Sequence, residues 1–362
     1  MAISTIDNNG VNLGQLGNRN MVTNGSMQVS QRYGYNSAQV DWNSYDASDR
    51  IFKRTSGGST SSVQTRNDDA PSGFTYSDKL TITSQNSDTY IGRGTSLEWN
   101  DISHLRAGYS DAKTITLSFW VKASISGTYC FAYTSYVSSH SASDAATSYV
   151  TEYTVNSANT WEYKTITVTL PTSTPSNWDG SNGGNTTGLR LQWSVSRRAT
   201  TNSYETATTD SWISGNYYCT SSQTNMGATN GSTFQITGVQ LEVGDTATPF
   251  EHRSYGEELA KCQRYYEQNH AAFGIWCGGD NFRTSISFAV SKRANPTLSI
   301  IDSNGYHEHT NLAGYNGLSS INYFDTSLTG SDFRVVSSSN RGRSYGQPSK
   351  LGQNTISFDA EL

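Results

Sequence analysis

Between Met21 and Phe250 the chain runs through roughly a dozen short stretches of alternating apolar and polar residues, set apart by polar turns, with no helical periodicity among them. That pattern narrows the fold more than any other feature. Parallel strands need crossovers of about a dozen residues, usually helical, and none is available here, so the strands must pair antiparallel. Clear examples are Lys79 to Ser84, Thr114 to Lys122, Tyr149 to Val155, Trp161 to Leu170, Leu189 to Ser196 and Phe234 to Val243. In the second of these, Ile115, Leu117, Phe119 and Val121 form an inner face. Trp120 falls on the more polar face, either covered by a loop or available to a ligand. Antiparallel strands at this spacing predict an all-β fold, a jelly-roll-like β-sandwich.

The stretch from Phe234 to Gln268 divides the chain. Its apolar positions alternate but change parity at Gly238, which predicts a long strand carrying a bulge. Gly244, Asp245 and Pro249 then end the strand. Ser254 stands three residues before Glu257, the spacing of a reciprocal cap at a helix start. Tyr255, Leu259, Cys262 and Tyr266 follow on one helical stripe, with Glu257, Glu258 and Lys261 assigned to the solvated side. This is the one strong helix signal in the chain, and we read it as a linker whose stripe is buried between domains or subunits. Strands resume beyond His270, at Ala271 to Cys277, Thr284 to Val290, Thr297 to Asp302, Leu318 to Phe324, Asp332 to Ser337 and Thr355 to Ala360. The expected organisation is an N-terminal docking arm over 1–20, a β-sandwich over 21–250, a linking helix over 251–269 and a smaller C-terminal β domain over 270–362. A domain that small buries proportionally little surface and is expected to gain core by oligomerising.

Four stretches carry a family resemblance. GVQLEVGDTATPFEHRSYGEELAKCQRYYE, from Gly238 to Glu267, resembles a segment of tail-fibre and other virion proteins of tailed bacteriophages, especially those of aquatic bacteria. Asn18 to Gln31, Thr114 to Lys122 and Tyr149 to Leu170 resemble further stretches of that family in matching order, so the likeness covers the chain up to about residue 268. The strand TITLSFWVK is also similar to one in jelly-roll carbohydrate-binding modules. The resemblance implies a virion structural protein, a tail fibre or spike that attaches to host-surface glycan. It also implies a homotrimer docked on other virion proteins through residues 1–20. A capsid decoration or fibre protein is the alternative, and a polysaccharide-degrading tailspike is a third reading.

Composition permits this and removes other classes. Only 15% of residues are charged, against 12% aromatic; disordered chains have few aromatics and high net charge. A net charge of −5 without a Lys/Arg cluster argues against nucleic acid. The N-terminus has neither a basic nor an apolar leader segment, so a virion protein made in the host cytoplasm is expected. No apolar run reaches the roughly 20 residues of a membrane span. Cys130, Cys219, Cys262 and Cys277 are widely spaced and are expected as free thiols, mostly buried.

No motif of a serine hydrolase, zinc protease, nucleotide-binding loop or dinucleotide fold is present, and a non-enzyme with no organic cofactor is expected. Sugar-binding chemistry is better represented, because sugars stack their C–H faces on Trp and Tyr while short polar side chains bind their hydroxyls. Three polar loops offer that combination: Trp42 with Tyr45, Trp178 with Asp179, and Trp212 with Tyr217 and Tyr218. Trp161 and Trp193 sit in strand patterns and are expected in the core. Two metal sites are open. Loop oxygens of Asp41, Asp46, Asp49 or Asp179 suit a structural Ca²⁺, although their spacing matches no calcium loop. His307 and His309 share one side of an extended segment, and a threefold axis would gather six imidazole nitrogens, suited to Fe²⁺ or Ni²⁺. Some phage fibre tips hold iron on their axis in this way, and this chain resembles them in that single tripeptide.

Overall fold

The structure, a computed structural model, describes residues 18–32, 44–45, 47–57, 61–135, 146–172, 184–200, 204–268, 272–277, 281–301, 307–308, 318–337, 346, 348–351 and 356–361. The chain divides into two compact units, Met1–Arg253 and Ser254–Leu362. Both are built from antiparallel sheets, as the alternating pattern requires.

The first unit contains β1 (Ser44–Tyr45), β2 (Phe52–Gly57), β3 (Ser61–Asn67), β4 (Ser77–Ser84), β5 (Thr89–Glu98), β6 (Thr114–Ala123), β7 (Gly127–Ser135), β8 (Thr147–Val155), β9 (Glu162–Thr169), β10 (Thr187–Ser196), β11 (Trp212–Ser214) and β12 (Thr233–Val243). A short helical turn, α1 (Trp99–Ile102), follows β5. One sheet has the order β1-β2-β5-β10-β7-β8-β11 and the other β3-β4-β12-β6-β9. Their facing sides share one core, in which Leu117, Phe119 and Val121 of β6 meet Phe131 of β7 and Trp193 of β10. Phe119 lies edge-on to Trp193 at 5.5 Å and to Tyr153 at 5.4 Å. The parity change at Gly238 is a bulge: the β12–β6 register slips between Thr237 and Gln240, and Gly238 adopts φ +61°.

β5 and β7 are absent from the strands picked out above. β5 reads TYIGRGTSLE, with glycines and charges that weaken any strand signal. Its glycines have a tertiary cause. A Cβ on Gly94 would stand 2.4 Å from both the Leu191 carbonyl oxygen and the Phe52 ring. Arg93 points into the sandwich, pairs with Asp78 and donates to Gln64 Oε1 at 2.9 Å, so a buried charge stands where the pattern calls for an apolar residue.

Residues 18–20 of the expected arm belong to this unit. The backbone N–H groups of Arg19 and Asn20 donate to the Glu251 carboxylate at 3.2 and 2.9 Å, and Arg253 donates to the Asn20 and Val22 carbonyls. Residues 1–17 lie outside the described residues.

The second unit opens with α2 (Tyr255–Gln263), capped as its sequence requires by Ser254 and Glu257. Nine strands follow among the described residues: β13 (Tyr266–Gln268), β14 (Ala272–Trp276), β15 (Asn281–Ser287), β16 (Thr297–Ile300), β17 (His307–Glu308), β18 (Leu318–Thr326), β19 (Gly330–Ser337), β20 (Pro348–Leu351) and β21 (Ile356–Asp359). They form sheets of order β13-β21-β16 and β17-β20-β14-β15-β19-β18. Trp276, Phe282, Phe333, Ile356 and Phe358 make its core.

The helical stripe is corrected here. Tyr266 is buried, but as the first residue of β13 paired with Asp359, because the helix closes at Arg264. Within the helix the buried side chains are Glu258 and Cys262, Leu259 is half-buried, and Tyr255 is 56% exposed in the first turn. Glu258, assigned to the solvated side, is thus turned inward. Cys130, Cys219 and Cys262 are buried free thiols, and Cys277 is half-buried.

Candidate functional site

The outer face of the five-stranded sheet can be laid out from its register. Trp120 on β6 lies between Tyr163 on β9 and Thr237 on β12, and Thr116 pairs with Thr167 on one side and Glu242 on the other. β12 is covered. Its outward side chains Gln235, Thr237, Gln240 and Glu242 are all buried, because two loops cross over them. From the first loop, Asp69 accepts from Gln235 Nε2 at 3.3 Å and the Tyr76 carbonyl accepts from Thr237 at 2.7 Å. From the second, Thr248 donates its N–H to Glu242 at 2.8 Å, and the Glu251 N–H donates to Gln240 at 2.8 Å. The loops meet where Phe74 and Phe250 touch edge to face at 5.0 Å, with His252 at 5.4 and 4.9 Å from them.

β9 is left as an open shelf beside that wall, with the half-buried Trp120 of β6 at its back, while the outward Thr116 and Ser118 of β6 are buried. The burial of β9 alternates: Tyr163, Thr165, Thr167 and Thr169 are exposed, while Ile166 and Val168 face the core. Tyr163, 44% exposed, lies 5.3 Å from the half-buried Trp120 ring, and together they make an aromatic floor. Gly238 makes the other flank possible. A Cβ there would stand 2.7 Å from the Phe74 ring and 3.0 Å from that of Trp120.

At one end of the floor Asp69 binds three neighbours. It accepts from Lys122 Nζ at 2.7 Å, Trp161 Nε1 at 3.2 Å and Gln235 Nε2. Partial burial pulls its carboxyl up, but the hydrogen bonds from Lys122, Trp161 and Gln235 outweigh that and hold it below the usual aspartate value. Trp161 is therefore half-buried on the outer face and not in the core, whereas Trp193 is fully buried as expected. At the other end, paired hydroxyls tie the strands together: Thr114 to Thr169 and Thr116 to Thr167, both at 2.9 Å.

The loops singled out from the sequence fare differently. Trp42, Trp178 and Asp179 lie outside the described residues, as do Asp41, Asp46 and His309. Trp212 stacks on the core edge, 5.4 Å from Tyr149, and donates its indole N–H to the Thr169 carbonyl at 2.8 Å. Tyr217 is half-buried, and Tyr218 is completely buried, with no ring face open to solvent. Tyr218 accepts from Arg54, whose guanidinium lies 4.7 Å from its ring and 5.0 Å from that of Tyr204. This closed arginine–tyrosine cluster backs the seven-stranded sheet. Tyr45 is half-buried, edge-on to Phe52 at 5.7 Å and 5.5 Å from the Arg50 guanidinium. Asp49 is buried and engaged by Gln31, and His307 sits in β17 opposite Leu351. Among the described residues no three His, Cys, Asp or Glu side chains are grouped to hold a metal. The shelf itself was foreshadowed by one signal, the single Trp on the polar parity of TITLSFWVK.

No protein-family model matches the chain, and no curated protein matches it. Among solved structures it is similar to the enzymatically active domain of tailspike protein 4 of bacteriophage CBA120, at TM-score 0.33 and 13% identity over 62% of this chain and 22% of that one. It is similar to a family 11 carbohydrate-binding module from Clostridium thermocellum in complex with a β-1,3-1,4-mixed-linked tetrasaccharide, at TM-score 0.29 and 13% identity over 56% of this chain and 91% of the module. A xylan-binding CBM22 domain from Paenibacillus barcinonensis gives TM-score 0.32 and 14% identity, over 57% and 98%. The chain thus spans less than a quarter of the tailspike domain. All three TM-scores are low, and the sandwich class of this chain rests on its own sheets.

Proposed function

We propose that this chain is a non-catalytic virion protein of a tailed bacteriophage, a tail fibre or spike whose first unit binds host-surface glycan on the β6–β9 shelf. The observation that carries the glycan half is the floor made by the exposed Tyr163 and the half-buried Trp120, set in a row of hydroxyls and walled on one side. Stacking on a sugar's C–H face needs an open ring beside short polar groups. The shelf provides both, whereas the Trp212 and Tyr218 rings are engaged in packing. The virion half is supported by the family resemblance of the sequence.

A glycan array probed with the whole protein tests the binding. We expect retention on at least one glycan, lost in Trp120→Ala while melting changes little, and no new reducing ends in the bound sugar. Retention that survives Trp120→Ala, or no retention at all, would overturn the assignment. The same reading makes the protein a homotrimer that docks on other virion proteins through residues 1–20. Native mass measurement should give three copies, and a monomer at micromolar concentration would count against it.

A further inference from the structure

We propose that the shelf selects neutral, linear glycans lying along β9, with an aromatic subsite at Trp120 and Tyr163 followed by hydroxyl subsites at Thr165, Thr167 and Thr169. This rests on the glycan-binding reading above and adds the class and direction of the ligand.

Direction follows from the walls. A chain crossing the sheet from β9 toward β12 meets the loops that bury Gln235, Thr237, Gln240 and Glu242. A chain following β9 meets no such obstacle, because β9 is an edge strand and its outward residues from Tyr163 to Thr169 are exposed. At about 3.3 Å per residue that row is about 20 Å long, room for several sugar units end to end.

Class follows from charge and proton bookkeeping. The shelf row is made of Trp120, Tyr163, Thr165, Thr167, Thr169 and Thr114, all neutral. Three charges bordering its middle and its aromatic end are engaged: Lys122 with Asp69 at 2.7 Å, Lys164 with Glu162 at 2.7 Å, and Glu242 with Thr248. The Thr116 hydroxyl donates to the Gly244 carbonyl at 2.9 Å, so in the Thr116–Thr167 contact Thr167 is the donor. Its one proton is spent inward, either there or on the Asp245 carbonyl at 3.4 Å. Thr167 therefore offers only lone pairs to a ligand. A sugar hydroxyl can donate to them. A carboxylate or sulfate, which only accepts, finds no partner at Thr167, and Lys122 and Lys164 are already held by carboxylates. The cross-strand hydroxyl bonds also fix these rotamers before binding, so little ordering remains to be done.

Affinity electrophoresis of the whole protein tests this, with mixed-linkage β-glucan and xylan as neutral linear probes and polygalacturonate and dextran sulfate as acidic ones. Neutral probes should retard the protein, with little change between low and high salt, and acidic probes should not. Thr167→Val should weaken neutral binding about fivefold, the size of one lost hydrogen bond. Thr169→Arg should weaken binding of a hexasaccharide while leaving a disaccharide unchanged. Acidic probes that bind as well or better, in a way Tyr163→Ala abolishes, would overturn the neutral class and leave glycan binding intact. Equal loss for short and long sugars in Thr169→Arg would overturn the direction along β9. Binding of neither class, or binding indifferent to both Trp120→Ala and Tyr163→Ala, would overturn the shelf itself.

Discussion

Asp69 shows how one side chain can organise the outer face of a sheet. It holds Lys122 of β6, Gln235 of β12 and Trp161 just before β9, so the polar end of the floor has one arrangement. Its titration gives a test. An unfolded aspartate titrates near 3.8, and the folded carboxyl lies below that. As pH falls, the unfolded chain takes up the proton first. The stability from this group is complete above the unfolded value and is lost as pH drops through the folded one. Asp69→Asn should therefore melt below the parent protein at neutral pH, and the gap should close as pH falls below the unfolded value. A gap that stays constant across that range would mean the clamp is not held by charge. None of this was legible in the sequence, where Asp68-Asp69 reads as a polar turn. The partners lie far along the chain, and only strand pairing brings them together.

At the scale of the element, β12 was the most legible strand, and its irregularity was the useful part. The parity change at Gly238 gave the bulge, because a two-residue period cannot slip without an extra residue. What the pattern did not say is why the residue must be glycine. Its φ of +61° and the closeness of Phe74 and Trp120 supply two reasons. Gly238→Ala should cost about 1–3 kcal/mol in a urea titration and displace the Trp120 ring, lowering glycan affinity as well. A titration midpoint equal to that of the parent would show that neither the backbone nor the rings resist the methyl group. β9 illustrates the management of an edge: Lys164 and Glu162 pair within the strand, and charges on an edge strand discourage pairing with another chain. Helix α2 was read correctly at its start and too long at its end. The Ser254–Glu257 cap is local chemistry, whereas Tyr266 answers to β21, far away in sequence.

Across the whole molecule, the second unit depends on a buried ion pair that no periodicity announces. Lys292, in a stretch that reads as a turn, is fully buried and places Nζ 2.7 Å from the buried Glu267, while also donating to the Gln263 carbonyl. Burial pulls the Lys292 pKa down, and Glu267 opposes that only in part. Lys292→Ala should cost this unit about 3–5 kcal/mol, because a carboxylate is left buried without its cation. Replacing both partners, Lys292→Met with Glu267→Leu, should recover most of the loss. A denaturant titration of the two variants decides it, and a double variant as unstable as the single one would mean the site fails through packing. By itself the sequence determined the all-β class, the antiparallel pairing, most strand positions, the bulge and the helix cap. These are set by side-chain periodicity and contacts within a few residues, which a linear pattern records. Only the tertiary structure decided which tryptophans are open, that Trp161 and Trp120 share the outer face with Tyr163, and where charges enter the core. Those outcomes depend on which loop crosses which strand, and a loop leaves no trace in the periodicity of the strand that it covers.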